Sequence, residues 1–157
     1  MNVTGAGSTL SGFGVAGFGG HGVLRIADGG AANLSSGLLI GDVSANAKGE
    51  VYVDGPGSTI DTNVVRLASG GGESKMLISN GGSVSTSTLG FGETDSLSGD
   101  LTIRDAGSFF LVQPGGSIGT SPNSTINVSN GGVFPSGNYS PIGGQLNIEG
   151  AGSLLNS

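Results

Sequence analysis

The sequence predicts an all-β fold: a right-handed parallel β-helix (β-solenoid) of about six to seven coils of roughly 25 residues. Three observations predict it. An apolar residue followed four positions later by glycine recurs along the whole chain. Each copy carries apolar residues at period two. No stretch has helical periodicity, and glycine and β-branched residues, poor helix formers, dominate throughout.

The recurring pairs are Val3/Gly7, Ile26/Gly30, Val53/Gly57, Ile78/Gly82, Ile103/Gly107, Val128/Gly132 and Ile148/Gly152, with glycines 23, 27, 25, 25, 25 and 20 residues apart. The copies alternate between two corner types. Gly5-Ala6-Gly7-Ser8, Gly55-Pro56-Gly57-Ser58, Asp105-Ala106-Gly107-Ser108 and Gly150-Ala151-Gly152-Ser153 form one set. Asp28-Gly29-Gly30-Ala31, Asn80-Gly81-Gly82-Ser83 and Asn130-Gly131-Gly132-Val133 form the other, so the unit is a double repeat of about 50 residues. Before each corner lies a strand with two inward residues flanking an outward one, as in Leu24-Arg25-Ile26 or Val51-Tyr52-Val53. After it comes a second apolar position: Leu10, Leu34, Ile60, Val84, Phe110, Phe134 and Leu155. A third apolar group (Val15, Ile40, Leu67, Leu89, Ile118, Ile142) precedes the next copy, which predicts three short strands and three corners per coil.

Stacking supplies the core that one coil lacks. Coils about 4.8 Å apart place Leu24, Val51, Met76, Leu101, Ile126 and Leu146 in one inward column and Val3, Ile26, Val53, Ile78, Ile103, Val128 and Ile148 in the next. Right-handed winding is what parallel crossovers favour. Rival repeats fit poorly: a kelch propeller needs more than three 50-residue blades, the leucine-rich spacing does not recur, and the Gly-Gly-x-Gly-x-Asp calcium repeat is missing from the sequence. The whole of residues 1–157 reads as a single β-solenoid segment.

Composition narrows the function. Glycine and proline make up about a quarter of the chain, charged residues only 10 %, and there is no cysteine, which excludes disulfides, thiolate metal sites and cysteine nucleophiles. Five basic residues and a net charge of −6 argue against nucleic acid as a partner. No apolar run reaches the length of a membrane span, so no membrane insertion by this segment is expected.

Motifs with chemical potential have plainer readings. Gly12-Phe13-Gly14-Val15-Ala16-Gly17 matches the dinucleotide-binding glycine pattern but lacks a following helix and a suitably spaced acid, which favours a solenoid corner. His21, the one histidine, sits between two glycines, and no Gly-x-Ser-x-Gly elbow offers it a nucleophile. Glu93, Asp95 and Asp100 read as a solvated acidic corner, with weak calcium binding as the alternative. Phe110 points inward and Phe109 outward. No catalytic residue, metal site or cofactor is expected. The outward column Arg25, Tyr52, Leu77, Thr102, Asn127, Asn147 holds no carboxylate, and Arg66, Lys75 and Arg104 are expected on other faces. Within that column Arg25, Tyr52 and Leu77 form the candidate binding surface: Tyr52 offers a stacking ring and Arg25 a fork of donors.

The runs Val3-Thr4-Gly5-Ala6-Gly7-Ser8-Thr9-Leu10, Leu24-Arg25-Ile26-Ala27-Asp28-Gly29-Gly30, Ile40-Gly41-Asp42 and Val51-Tyr52-Val53-Asp54-Gly55-Pro56-Gly57-Ser58-Thr59-Ile60 resemble the repeats of autotransporter (type V secretion) passenger domains. The resemblance covers nearly the whole chain. It implies a fragment of a longer passenger, exported to the bacterial cell surface or secreted, a non-enzymatic stalk or adhesin whose partner is a host or bacterial surface glycan or protein, or another copy of itself. The departures from the family are the lack of a signal peptide and outer-membrane barrel and the ends that fall within repeats. The alternatives are a polysaccharide-active β-helix enzyme, or a pure spacer, with the functional groups outside this segment.

Overall fold

A computed structural model describes residues 1–42, 44, 46–70, 72–92, 98–119, 121–135 and 143–156, which contain strands and turns and no helix. The strands are β1 (Asn2–Thr4), β2 (Thr9–Ser11), β3 (Gly14–Phe18), β4 (His21–Ala27), β5 (Ala31–Leu34), β6 (Leu38–Asp42), β7 (Lys48–Asp54) and β8 (Thr59–Leu67). They continue as β9 (Glu73–Ser79), β10 (Ser83–Phe91), β11 (Gly99–Arg104), β12 (Phe109–Gly119), β13 (Thr125–Ser129), β14 (Val133–Pro135), β15 (Gln145–Glu149) and β16 (Leu154–Asn156). One sheet of 7 strands runs β1-β4-β7-β9-β11-β13-β15, and a second of 9 holds β2, β5, β8, β10, β12, β14 and β16 in stacking order, with β3 on β6 and β6 on β8. Every pairing is parallel, and the molecule is a parallel β-solenoid.

The register of the first sheet matches the repeat. Leu24, Val51, Met76, Leu101, Ile126 and Leu146 are successive partners, and so are Val3, Ile26, Val53, Ile78, Ile103, Val128 and Ile148. From Ile26 to Val128 the second column is fully shielded. Each such aliphatic is worth roughly 1.5–3 kcal/mol on burial. In the second sheet Phe110 and Phe134 are both fully buried and meet edge to face with centroids 5.9 Å apart.

Three expectations need correcting. Leu10 and Ile60 flank Ala32, not Leu34. Leu34 lies two residues further on, over Thr62, because the second coil puts a small residue directly after its corner and its large one at the bend. The third apolar group is two columns: Leu38, Val65, Leu89 and Ile118 in one, Ala16, Ile40, Leu67 and Phe91 in the other. Val15, paired with Leu39, faces outward at 37 % exposure, and Ile142 lies outside the described residues. Three short strands per coil hold only at the start. From β8 onward the second and third merge into β8, β10 and β12, with Thr62, Thr86 and Val112 turned inward at the bend. The Thr62 hydroxyl donates to Leu34 O (2.8 Å) and the Thr86 hydroxyl to Thr88 O (2.9 Å), so polar groups are satisfied without a break in the ladder.

The alternation of corners has a physical origin. In the first set, positions one and three take positive φ (Gly55 90°, Gly57 79°) and position two does not, so Pro56 fits there. In the second set, positions one and two take positive φ (Asn80 52°, Gly81 86°), and the third glycine closes against the turn beneath: a Cβ on Gly82 would collide with Val53 O. The two types then lock together. Ser58, Ser108 and Ser153 of the first set accept the amides of Gly29, Gly81 and Gly131 of the second, at 3.1, 2.9 and 3.1 Å. Ser58 and Ser153 also donate to Asp54 O and Glu149 O, four residues back, both at 2.6 Å.

Gly82→Ala should therefore lower stability by about 2–3 kcal/mol through forced overpacking. Gly90→Ala, whose new methyl would meet only the Arg66 Cγ at 3.6 Å, should be close to neutral. Urea midpoints of the two variants check this difference.

Candidate functional site

The outward face of the first sheet collects the chain's functional groups. The corner-to-corner register puts Arg25, Tyr52, Leu77, Thr102, Asn127 and Asn147 in one column, as the sequence predicts, and adds Asn2 beside Arg25. Arg25, Tyr52 and Leu77 are thus brought together on adjacent strands. Because β4, β7 and β9 are seven residues long, flanking outward columns exist that a three-residue strand does not have. Val23, Glu50, Lys75 and Asp100 form one of them, and His21, Lys48 and Glu73 another. Arg104 ends β11 on the same face.

This overturns the expected scatter of basic residues. Lys75 and Arg104 share the face of Arg25 instead of lying elsewhere, so four of the five basic side chains (Arg25, Lys48, Lys75, Arg104) stand on it. Arg66 lies in the other sheet, in β8. Carboxylates are interleaved with these cations, and Glu50, Lys75 and Asp100 alternate in sign up one column. The triplet-by-triplet reading missed them because it stopped at the residues beside the core. The signal in the sequence was the polar alternation in Lys48-Gly49-Glu50-Val51 and Glu73-Ser74-Lys75-Met76.

The contacts are specific. The Arg25 guanidinium lies 4.2 Å from the Tyr52 ring centroid, a cation–π pair that covers one ring face. The Tyr52 hydroxyl donates to Glu50 Oε2 at 2.7 Å, and His21 Nε2 stands 3.6 Å from Glu50 Oε1. The Tyr52 hydrogen bond holds the Glu50 carboxyl below its usual pKa, against a smaller opposing effect of burial and with help from His21, Lys48 and Lys75. The same bond raises the Tyr52 phenol above its ordinary value. Lys48 Nζ and Glu73 Oε2 pair at 3.4 Å on the surface. Asp54 accepts from Ser79 Oγ (2.6 Å) and Asn80 Nδ2 (2.7 Å), which anchors the carboxylate to the next corner.

Two troughs run across the face. One of about 410 Å³ is lined by Lys48, Glu50, Glu73, Lys75 and Asp100. The other, about 310 Å³, has Tyr52 and Leu77 in its floor between Arg25 and Arg104. The guanidinium-bearing strands are three levels apart, on the order of 14 Å.

Other candidates resolve as plain structure. Gly12–Gly17 runs into β3 and then directly into β4, with no helix for a dinucleotide. His21 and Asp28 sit at opposite ends of β4, about 23 Å apart. Glu93 and Asp95 lie outside the described residues, and no group of three metal-ligating side chains occurs among the described ones. Phe109 is 38 % exposed beside buried Phe110.

No family model, curated protein or solved structure matches this chain.

The lowered Glu50 pKa has a definite sign in stability. The stabilisation is present above the carboxyl's unfolded pKa and is lost as pH falls through the lower folded value. Tyr52→Phe removes the main cause and brings the folded value back toward the unfolded one, so the variant should lose less stability on acidification than the parent chain. Urea midpoints measured from about pH 6 down to pH 3 would show the smaller decline.

Proposed function

We propose that this chain is a non-enzymatic rod segment of an exported bacterial surface protein, similar to an autotransporter passenger, that mediates adhesion or self-association. Its winding is right-handed, the hand favoured by parallel crossovers. The observation that carries the reading is the concentration of the chain's few cations, with interleaved carboxylates and one aromatic ring, on one ladder-like face. A long, shallow, mixed-charge surface suits an extended partner such as a glycan or a protein surface, with affinity spread over many weak contacts. Arg25 and Arg104 at the ends of the Tyr52 trough suit carboxylate-bearing groups on that partner.

A polysaccharide-active enzyme is the second reading, favoured by the trough that holds Glu50, Glu73 and Asp100 beside Lys48 and Lys75. Glycoside cleavage needs one carboxyl kept protonated by its surroundings. The Tyr52 hydroxyl does the opposite to Glu50, and Glu73 is engaged with Lys48, which weighs against this role.

The triple variant Arg25→Ser, Tyr52→Ser, Leu77→Ser should weaken binding of the purified chain to bacterial or host cells, or to a glycan array, about tenfold or more, the loss of one or two hot-spot contacts. Unchanged binding by the folded variant would remove this face from the account. Release of reducing ends from a bacterial or host polysaccharide by the parent chain would replace the adhesive reading with the enzymatic one.

A further inference from the structure

Two corners of the second set have the same local sequence and different surroundings. Ser79-Asn80-Gly81-Gly82 and Ser129-Asn130-Gly131-Gly132 are identical, and both asparagines are exposed, with φ of 52° and 51°. In each, the amide of the following glycine donates to a serine of the next turn, Gly81 to Ser108 Oγ at 2.9 Å and Gly131 to Ser153 Oγ at 3.1 Å. The asparagine side chains differ. Asn80 Nδ2 donates to Asp54 Oδ1 at 2.7 Å, while the Asn130 carboxamide has no hydrogen-bond partner among the described residues. The register gives the cause. Asp54 is the strand partner of Ser79, and the corresponding partner of Ser129 is Arg104, which has no acceptor to offer and stands 3.6 Å from Asp105.

An asparagine followed by glycine can react with its own backbone, because glycine sets no side chain beside the attacking nitrogen. We propose that Asn130-Gly131 is a self-modification site of this chain, where asparagine is converted to aspartate and iso-aspartate, and that Asp54 keeps Asn80-Gly81 from the same reaction. The Gly131 nitrogen attacks Asn130 Cγ. The new N–Cγ bond forms, the Cγ–Nδ2 bond breaks, and the amide proton leaves with the side-chain nitrogen as ammonia. Water then opens the resulting succinimide at one of its two carbonyls, and the carboxyl proton passes to solvent.

Gly131 must first let go of Ser153, so the serine bond sets how often the corner can react. At Asn80 a second bond must also break, a charge-assisted one, and the aspartate product would face Asp54 across the same contact, like charge on like. The third corner of the set shows which product the fold accepts. Asp28 takes φ 53° there, and the Gly29 amide keeps its serine at 3.1 Å. Aspartate at position 130 therefore leaves the corner intact and adds one negative charge. Iso-aspartate routes the main chain through the side-chain carbon, lengthens the turn by one atom and draws the Gly131 amide away from Ser153. The site uses none of Arg25, Tyr52 and Leu77, so it stands or falls independently of the adhesive face.

The folded chain is incubated at mildly alkaline pH, and peptides spanning the two corners are followed by mass spectrometry. Asn130 should lose its amide about tenfold faster than Asn80 or more, the effect of one bond to a charged group. In urea the two should react alike, since their local sequences are the same. Asp54→Ala should bring Asn80 up to the rate of Asn130, and Ser153→Ala should speed Asn130 about fivefold and leave Asn80 unchanged. Equal rates in the folded parent chain, or a faster Asn80, would overturn the proposal without recourse to any variant. So would the same preference for Asn130 in urea, or an Asn80 rate that Asp54→Ala leaves unchanged.

Discussion

The bond on which the stack depends is small: a serine hydroxyl that accepts a glycine amide from the preceding turn and donates to a carbonyl four residues back. A net worth of about 1 kcal/mol per bond would not hold a rod together. Its importance is geometric. A first-set corner must place a hydroxyl above a second-set corner, and the second-set corner must offer an amide from a glycine at positive φ. Backbone conformation adds a second demand, since Gly81 (φ 86°) and Gly107 (φ 85°) lie in the left-handed region that favours glycine. Backbone conformation and hydrogen bonding therefore impose the same order, and each turn is specified by its neighbour.

That order carries over to the surface. Once the corners are aligned, strand positions line up without slippage, and inward columns are apolar from one end to the other. The outward positions inherit the alignment. Arg25 meets the ring of Tyr52, and Tyr52 reaches Glu50 in its own strand, because the ladder leaves each side chain one neighbour above, one below and one two residues along. The polar chemistry of this face is therefore distributed along columns. The proposed adhesive role draws on that distribution.

Legibility in the sequence tracked how strongly burial constrains each position. The first sheet was readable residue by residue, since its two inward columns repeat without exception between Leu24 and Val128. The second sheet was readable only in part. Ala32 stands where a large residue was expected, and Thr62 and Thr86 are buried at the bend. Their hydroxyls are satisfied by carbonyls of neighbouring residues, a tertiary arrangement that composition does not reveal. The candidate face was legible in its central column and not in its flanks. Lys48, Glu50, Glu73 and Lys75 lie on strands that extend beyond the apolar triplet, and nothing in the triplet announces how far a polar strand continues. The alternation of corners was visible as a pattern, but its cause, the serine-to-glycine bond, needed the turns to be stacked.

Amide hydrogen exchange at the corners, resolved by NMR, tests this account most directly. The amides of Gly29, Gly81 and Gly131 should be protected although they sit in exposed turns, and Ser108→Ala should release Gly81 while leaving Gly29 and Gly131 slow. Rapid exchange at all three glycines in the parent chain, with the strand amides still protected, would contradict the claim that the corners set the stack.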